Sequence, residues 1–169
     1  MTERERIISF DKKIKEYEKK RGYGVGSTNP GVVVLEVIST MLMLVVPMDA
    51  IYEYDYFLIM LHVVSAGAAG ILNMSWLLAA LVEGQAVSWK QYLKYVPVDW
   101  KEFRRYRYEI LLKYTGKMFL CYGGAQLAAT LWWVITLHQK FTLWGVVYAA
   151  GICIVCILLP GIFRVRRWT

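Results

Sequence analysis

Residues 83–117, EGQAVSWKQYLKYVPVDWKEFRRYRYEILLKYTGK, form the one long polar stretch between segments that otherwise read as membrane. The stretch carries eight of the twenty Lys and Arg residues and sits between two apolar runs, so its charge decides how the chain is threaded. Any soluble partner has to dock here. At 169 residues, with 57% hydrophobic and 20% charged, the chain is too apolar for an ordinary soluble domain and fits one integral membrane domain.

Four apolar segments flank this insert and are long enough to cross a bilayer, for which a helix needs roughly 20 residues, the first being short and the second long. They run approximately over Gly31–Met48, Tyr56–Val82, Met118–Leu137 and Phe141–Phe163. The expected fold is therefore all-α and polytopic, with residues 31–169 as a four-helix transmembrane domain and residues 1–30 as a cytoplasmic helix and linker. No cleavable secretory signal is expected, because the N-terminus is charged where a signal would be apolar. Cys121, Cys153 and Cys156 all lie inside apolar spans, without His or Cys partners at metal-ligand spacing, and read as packing residues.

Topology follows from the basic residues. Eight Lys and Arg precede the first span, eight lie in the insert, and Arg164, Arg166 and Arg167 close the chain. The connection between spans three and four offers only Lys140, and that between spans one and two offers Asp49, Glu53 and Asp55 instead. Basic residues are retained inside, so both termini and the insert are expected in the cytoplasm of a multi-pass plasma-membrane protein. The formal charge of +7 then needs no nucleic acid: it faces anionic lipid and a cytoplasmic partner.

Within residues 5–20, Ile7, Phe10, Ile14 and Tyr17 recur at spacings of three and four. That spacing describes an amphipathic helix, lying in the inner headgroup region or touching a partner. Gly22–Pro30, rich in turn formers, should redirect the chain into the bilayer. Glu36 in span one is a functional candidate, since an intramembrane carboxylate is costly, unless it reaches the inner interface or pairs there. Pro47 marks the end of that span, and Tyr52, Tyr54 and Tyr56 read as an interfacial belt. Ser65, Ala66, Gly67, Ala69 and Gly70 on span two favour close helix packing, as do Gly123, Gly124 and Ala128 on span three and Gly145, Ala149 and Gly151 on span four. His62 and Asn73 each either hydrogen-bond across helices or line a polar path, and Gln126 is a single uncharged polar group for a neighbouring helix to satisfy. Trp132, Trp133, His138 and Trp144 form the outer anchor, and Trp168 the inner one.

Inside the insert, Ser88–Tyr95 is a short amphipathic piece and Val96-Pro97 breaks the helix. Asp99 then serves as N-cap with Glu102 three residues on, in the manner of a capping box. Trp100, Phe103, Ile110, Leu111 and Tyr114 share one face of the following helix, which runs straight into span three. Arg104, Arg105, Arg107 and Lys113 occupy the rest, with Arg105–Glu109 and Glu109–Lys113 as i,i+4 pairs. Such an element is either a basic linker on the lipid surface or a docking site.

These residues carry a resemblance. The run from Glu83 through Trp89, Tyr92, Leu93, Val96, Pro97, Val98, Asp99, Trp100, Lys101, Glu102 and Phe103 resembles the cytoplasmic stretch before the third span of ABC-2-type transporter permeases. There a glutamate ending span two precedes an aromatic segment, then leucine-proline-valine/isoleucine-serine-arginine-lysine-glutamate, then a basic helix entry. Leu158-Leu159-Pro160-Gly161-Ile162-Phe163-Arg164 is similar to the end of span four in small bacterial members. The resemblance covers about residues 31–166. It implies a membrane subunit paired with a separate ATPase, exporting a peptide, lipid or drug-like substrate. ATP would be bound by that partner, and this chain would hold no cofactor or metal. It further implies a coupling contact through Glu83, Trp89, Tyr92, Pro97, Asp99, Trp100, Phe103, Arg104 and Arg105. The expected four spans depart from the six of the usual half-permease.

The residues themselves offer no enzyme signal: there is no Gly-x-x-x-x-Gly-Lys-Ser/Thr, His-Glu-x-x-His or Gly-x-Ser-x-Gly, and no Asp inside a span. A different class also fits the composition, namely a non-transporting four-helix assembly, accessory or immunity subunit of a larger membrane complex. An adjacent ATPase gene separates the two.

Overall fold

The computed structural model describes residues 3–21, 30–45, 56–83, 85–138, 140–141 and 143–169. Its elements are α1 (Glu3–Lys20), α2 (Pro30–Val45), α3 (Tyr56–Leu78), the strands β1 (Ala80–Val82) and β2 (Gln85–Val87), α4 (Trp89–Tyr92), α5 (Trp100–Leu137) and α6 (Trp144–Trp168). Residues 22–29 of the expected Gly22–Pro30 turn region, Pro47, Asp49, Tyr52, Glu53, Tyr54 and Asp55 lie outside the described residues, as does the side chain of Tyr56.

Helices α2, α3, α5 and α6 form an up-down-up-down bundle in which α2 packs on α3 and α5, and α6 packs on α3 and α5. The pairings fix the directions: Ser39 meets Tyr122 and Met43 meets Gln126, so α2 and α5 run the same way. Among the described residues, two helices, α5 and α6, are long and apolar enough to cross a membrane by length and composition. The other two do not reach that criterion: α2 is apolar over Pro30–Leu44 and α3 over Ile59–Met74. At about 1.5 Å per residue, the 38 residues of α5 span about 57 Å, nearly twice a hydrocarbon core of about 30 Å.

The bundle is apolar on the outside and partly polar within. Leu120 and Ile135 are 74% and 72% exposed and Val64 is 61% exposed, whereas Ser39, His62, Asn73 and Gln126 are buried. Between them lies a core of Met43, Ala66, Met74, Leu111, Met118, Tyr122, Ala149 and Ile157.

Helix α6 contains a π-helical turn over Cys153–Leu158. Its cause is Pro160, which has no N–H and would collide with the carbonyl of Cys156 four residues earlier in a regular α-helix. That carbonyl is turned onto Gly70 of α3, where a Cβ would strike it. Pro160 on one helix and Gly70 on its neighbour are thus two parts of one close contact, in the role expected of the small residues on α3.

Three sequence expectations are corrected. The second apolar segment stops at Leu78 rather than Val82, because residues 80–87 turn back as a hairpin pairing Ala80 with Val87 and Val82 with Gln85. Glu83 stands at its turn with φ 51°, the left-handed backbone that two-residue hairpin loops demand. Helix α1 buries Ile7, Asp11 and Glu18 and half-buries Ile14, while Phe10 and Tyr17 are exposed. Its inner face is therefore rotated from the expected one, and the partner it touches is this chain's own insert. Finally, Arg107 lies on the buried face of α5 rather than among the solvated charges.

Candidate functional site

Two polar assemblies stand out, one beneath the bundle and one inside it. The lower one begins with the break at Pro97. Asp99 caps α5 as expected, its carboxylate accepting from the backbone N–H of Lys101 at 2.9 Å and of Glu102 at 3.4 Å. The helix so started carries Phe103 and Arg107 one turn apart on the same face, and both are buried.

Arg107 is the hub. Its Nη1 donates to the Leu77 carbonyl at 3.3 Å and its Nη2 to Asp11 Oδ1 at 2.9 Å. The guanidinium stacks over Trp89 at 4.2 Å and over Phe103 at 4.9 Å. Trp89 Nε1 donates to the Leu78 carbonyl at 2.7 Å. Two side chains from the insert thus satisfy carbonyls at the C-terminal end of α3, where a cation also complements the helix dipole. Ile7, Ala80, Trp89, Leu93 and Phe103 pack around them as a small core of their own.

Asp11 closes the assembly from α1. Lys15 Nζ lies 2.8 Å from its carboxylate and Tyr106 OH donates to it at 3.1 Å. Burial alone would raise the Asp11 carboxyl, but Arg107 and Lys15 outweigh it and hold the group below its usual range. Tyr106 is pushed up to about 12, first by burial and then by the Asp11 charge. A second, exposed strut joins Arg4 of α1 to Glu109 of α5 at 2.7 Å. Glu109 is therefore taken by α1 rather than by Arg105 or Lys113 as expected, and Arg105 lies 4.0 Å from Glu102.

The nine residues expected to contact an ATPase are divided by this packing. Trp89 and Phe103 are 0% and 1% exposed and belong to the internal core, so they cannot touch a partner in this arrangement. Trp100 is half-buried. Glu83, Tyr92, Pro97, Asp99, Arg104 and Arg105 are exposed, although Asp99 is committed to its cap and Glu83 lies 4.0 Å from Arg21. Arg104 donates to Thr169 Oγ1 at 3.4 Å, which brings the end of the chain to the same surface.

The upper assembly collects three of the four expected interior polar residues. Glu36 accepts from Asn73 Nδ2 and from Tyr114 OH, the latter at 2.6 Å, and Asn73 Nδ2 also reaches Tyr114 OH at 2.7 Å. One turn along α2, Ser39 shares a 2.8 Å hydrogen bond with Tyr122. The Tyr122 ring stands edge-on to His62 at 6.0 Å, and His62 Nδ1 shares a 2.7 Å hydrogen bond with Tyr148. Gln126 is not brought into this group: it donates to the Met43 carbonyl at 2.7 Å.

Sequence reasoning missed Asp11, Arg107, Ser39 and the tyrosines at 114, 122 and 148. A signal was present for those on α5, because Phe103, Arg107, Leu111, Tyr114, Met118, Tyr122 and Gln126 form one stripe at spacings of three and four. Comparison with family models, with curated proteins and with solved structures returns no match.

Proposed function

We propose that the chain is the membrane subunit of an ABC-type transporter, crossing the bilayer with α2, α3, α5 and α6 and driven by a separate ATPase from the cytoplasmic side. The observation that carries this reading is the continuity of α5: one helix starts at a basic, solvent-exposed end and runs without a break to Leu137. Arg107 and Trp89 tie that end to α3 as well, so a push on the insert reaches two helices of the bundle at once. The distribution of basic residues supports an insert on the inside, and the apolar exterior of the bundle suits lipid. An export substrate that is a peptide, lipid or drug-like molecule follows from the resemblance alone.

The contact surface is smaller than the resemblance implies. It consists of Tyr92, Pro97, Trp100, Arg104 and Arg105, with Tyr95, which is 88% exposed, at its tip. Trp89 and Phe103 act behind it as support. Mild-detergent purification followed by mass spectrometry tests the reading: wild type is expected to bring down a protein with an ATP-binding motif, and Arg104→Glu with Arg105→Glu to lose it while remaining folded. Capture of membrane subunits without any ATPase favours the accessory-subunit reading. One observation points that way: Gly70 against Cys156, Gly145 against Gln126 and Gly161 against Leu111 close the helices tightly on each other. A transport route would then have to form between copies or with another chain.

A further inference from the structure

Among the described residues, and apart from Gln126 and from Ser65, which bonds to its own helix, the buried polar side chains of the bundle interior are not scattered. They follow one line: the Glu36, Asn73 and Tyr114 cluster, the Ser39 and Tyr122 pair, and the His62 and Tyr148 pair, contributed by all four helices. Glu36 lies six residues into α2, about 9 Å along its axis. Asn73 and His62 are eleven residues apart on α3, about 16 Å, and Tyr148 lies four residues into α6, about 6 Å from its start. The line between the Asn73 and His62 levels therefore covers about half of a hydrocarbon core of about 30 Å, with about 9 Å of α2 on one side of it and about 6 Å of α6 on the other.

Two further facts mark this line as more than helix glue. Asn73 and His62 are 0% and 1% exposed, yet Asn73 Oδ1 and His62 Nε2 have no hydrogen-bond partner among the described residues. Buried polar atoms are normally satisfied, so each is a place where a water molecule gains a bond by binding. Among the described residues, no hydrogen bond joins the Glu36, Asn73 and Tyr114 cluster to the Ser39 and Tyr122 pair, or that pair to His62 and Tyr148, and Asn73 and His62 belong to the groups on either side of these gaps. The π-helical turn of α6, a local departure from regular helix of the kind often found at working sites, lies beside the same line.

We propose that this file conducts protons across the bilayer, with water bridging at Asn73 and His62. Glu36, half-buried at the cytoplasmic end, takes up a proton as its O–H bond forms. Transfer onward breaks that bond and makes one at the next oxygen, through Tyr114, bridging water, Ser39 and Tyr122. His62 then gains a proton at Nε2 and gives one up at Nδ1 to Tyr148, whose own proton leaves toward the outer face. No group is oxidised or reduced, and every step runs equally in reverse, from Tyr148 to Glu36, which is the direction that an inside-negative membrane potential drives. Ionisable and hydroxyl groups at this depth are the usual parts of such relays. The proposal rests on the reading that the four-helix bundle crosses the bilayer, and it does not depend on a partner ATPase.

The test is purified chain in liposomes loaded with a pH-sensitive dye, with a potassium diffusion potential imposed by valinomycin. Wild type is expected to pass protons several-fold faster than protein-free vesicles, and more slowly in D2O. Glu36→Gln and His62→Phe should each fall to the vesicle background, and Tyr122→Phe, which removes one hydroxyl and keeps the ring packing, should slow flux several-fold. Cys121→Ser, at an exposed position on α5, should leave it unchanged. A wild-type rate equal to that of empty vesicles overturns the proposal. So does an undiminished rate in folded Tyr122→Phe and Glu36→Gln protein, with thermal melts establishing the fold.

Discussion

The assembly beneath the bundle and the bundle interior solve the same problem, burial of polar groups, in opposite ways. Below the bundle, a full charge is buried at Arg107 and answered by the full charge of Asp11 at 2.9 Å, with Trp89 and Phe103 stacked on its faces. Inside the bundle a single carboxylate, Glu36, is met by the neutral donors Asn73 and Tyr114. The first arrangement is a lock, because removing either partner strands a charge away from water. The second is a set of weaker bonds whose members can exchange donors and acceptors. Rigidity is thus concentrated where a partner would push, and adaptability where the helices meet.

Breaking the lock should give the largest effect. Arg107→Ala removes the cap on Leu77 and leaves Asp11 buried without its main counter-charge, which costs about 3–5 kcal/mol for a buried pair. The expected readouts are a lowered melting temperature and early proteolysis within α1. Adding Asp11→Asn should restore part of the loss, since the stranded charge is then gone.

Next comes the bundle. Gly70→Val drives a side chain into the Cys156 carbonyl and should destabilise by about 1–3 kcal/mol, read as a thermal shift in detergent. Proteolysis of α1 should be unaffected at low temperature, which separates the two regions. A smaller change, about 1 kcal/mol, is expected for Asp99→Ala, which uncaps α5 without touching either assembly. Faster hydrogen exchange over the first turn of α5 is its measurable sign.

The smallest effect near neutrality is that of pH. Asp11 is held below its ordinary carboxyl value of about 3.9 in the folded protein, so its contribution is fully present above that value. The contribution is lost as pH falls through the lower, folded value. Release of α1 should therefore begin only below about pH 4, followed by proteolysis or exchange. Tyr106 acts at the other extreme: raised to about 12 from an ordinary value near 10, it favours the folded state in its neutral form and erodes stability as pH climbs through that range.

How much of this was legible beforehand differs between the regions. The helical class, the Pro97 break, the Asp99 cap and the continuity of α5 were readable, because each rests on local rules of backbone geometry. The end of α3 was not: Leu81 and Val82 continue the apolar run, and only the hairpin pairing with residues 85–87 takes them out of the helix. Arg107 was misplaced for a related reason. Beside Arg104 and Arg105 it reads as one more solvated charge, and its burial depends on an acid 96 positions away. Glu36, His62 and Asn73 were recognised as polar residues in apolar runs, but their tyrosine partners were not, since tyrosine is also the residue of membrane interfaces.

The account rests on the insert lying on the cytoplasmic side of a bundle that crosses the membrane. Tyr95, the most exposed aromatic of the insert, gives a direct reporter when changed to Cys in a chain whose Cys121, Cys153 and Cys156 are replaced by Ser. With a membrane-impermeant maleimide, the account predicts labelling in inverted vesicles and none in intact cells. Labelling in intact cells would contradict it.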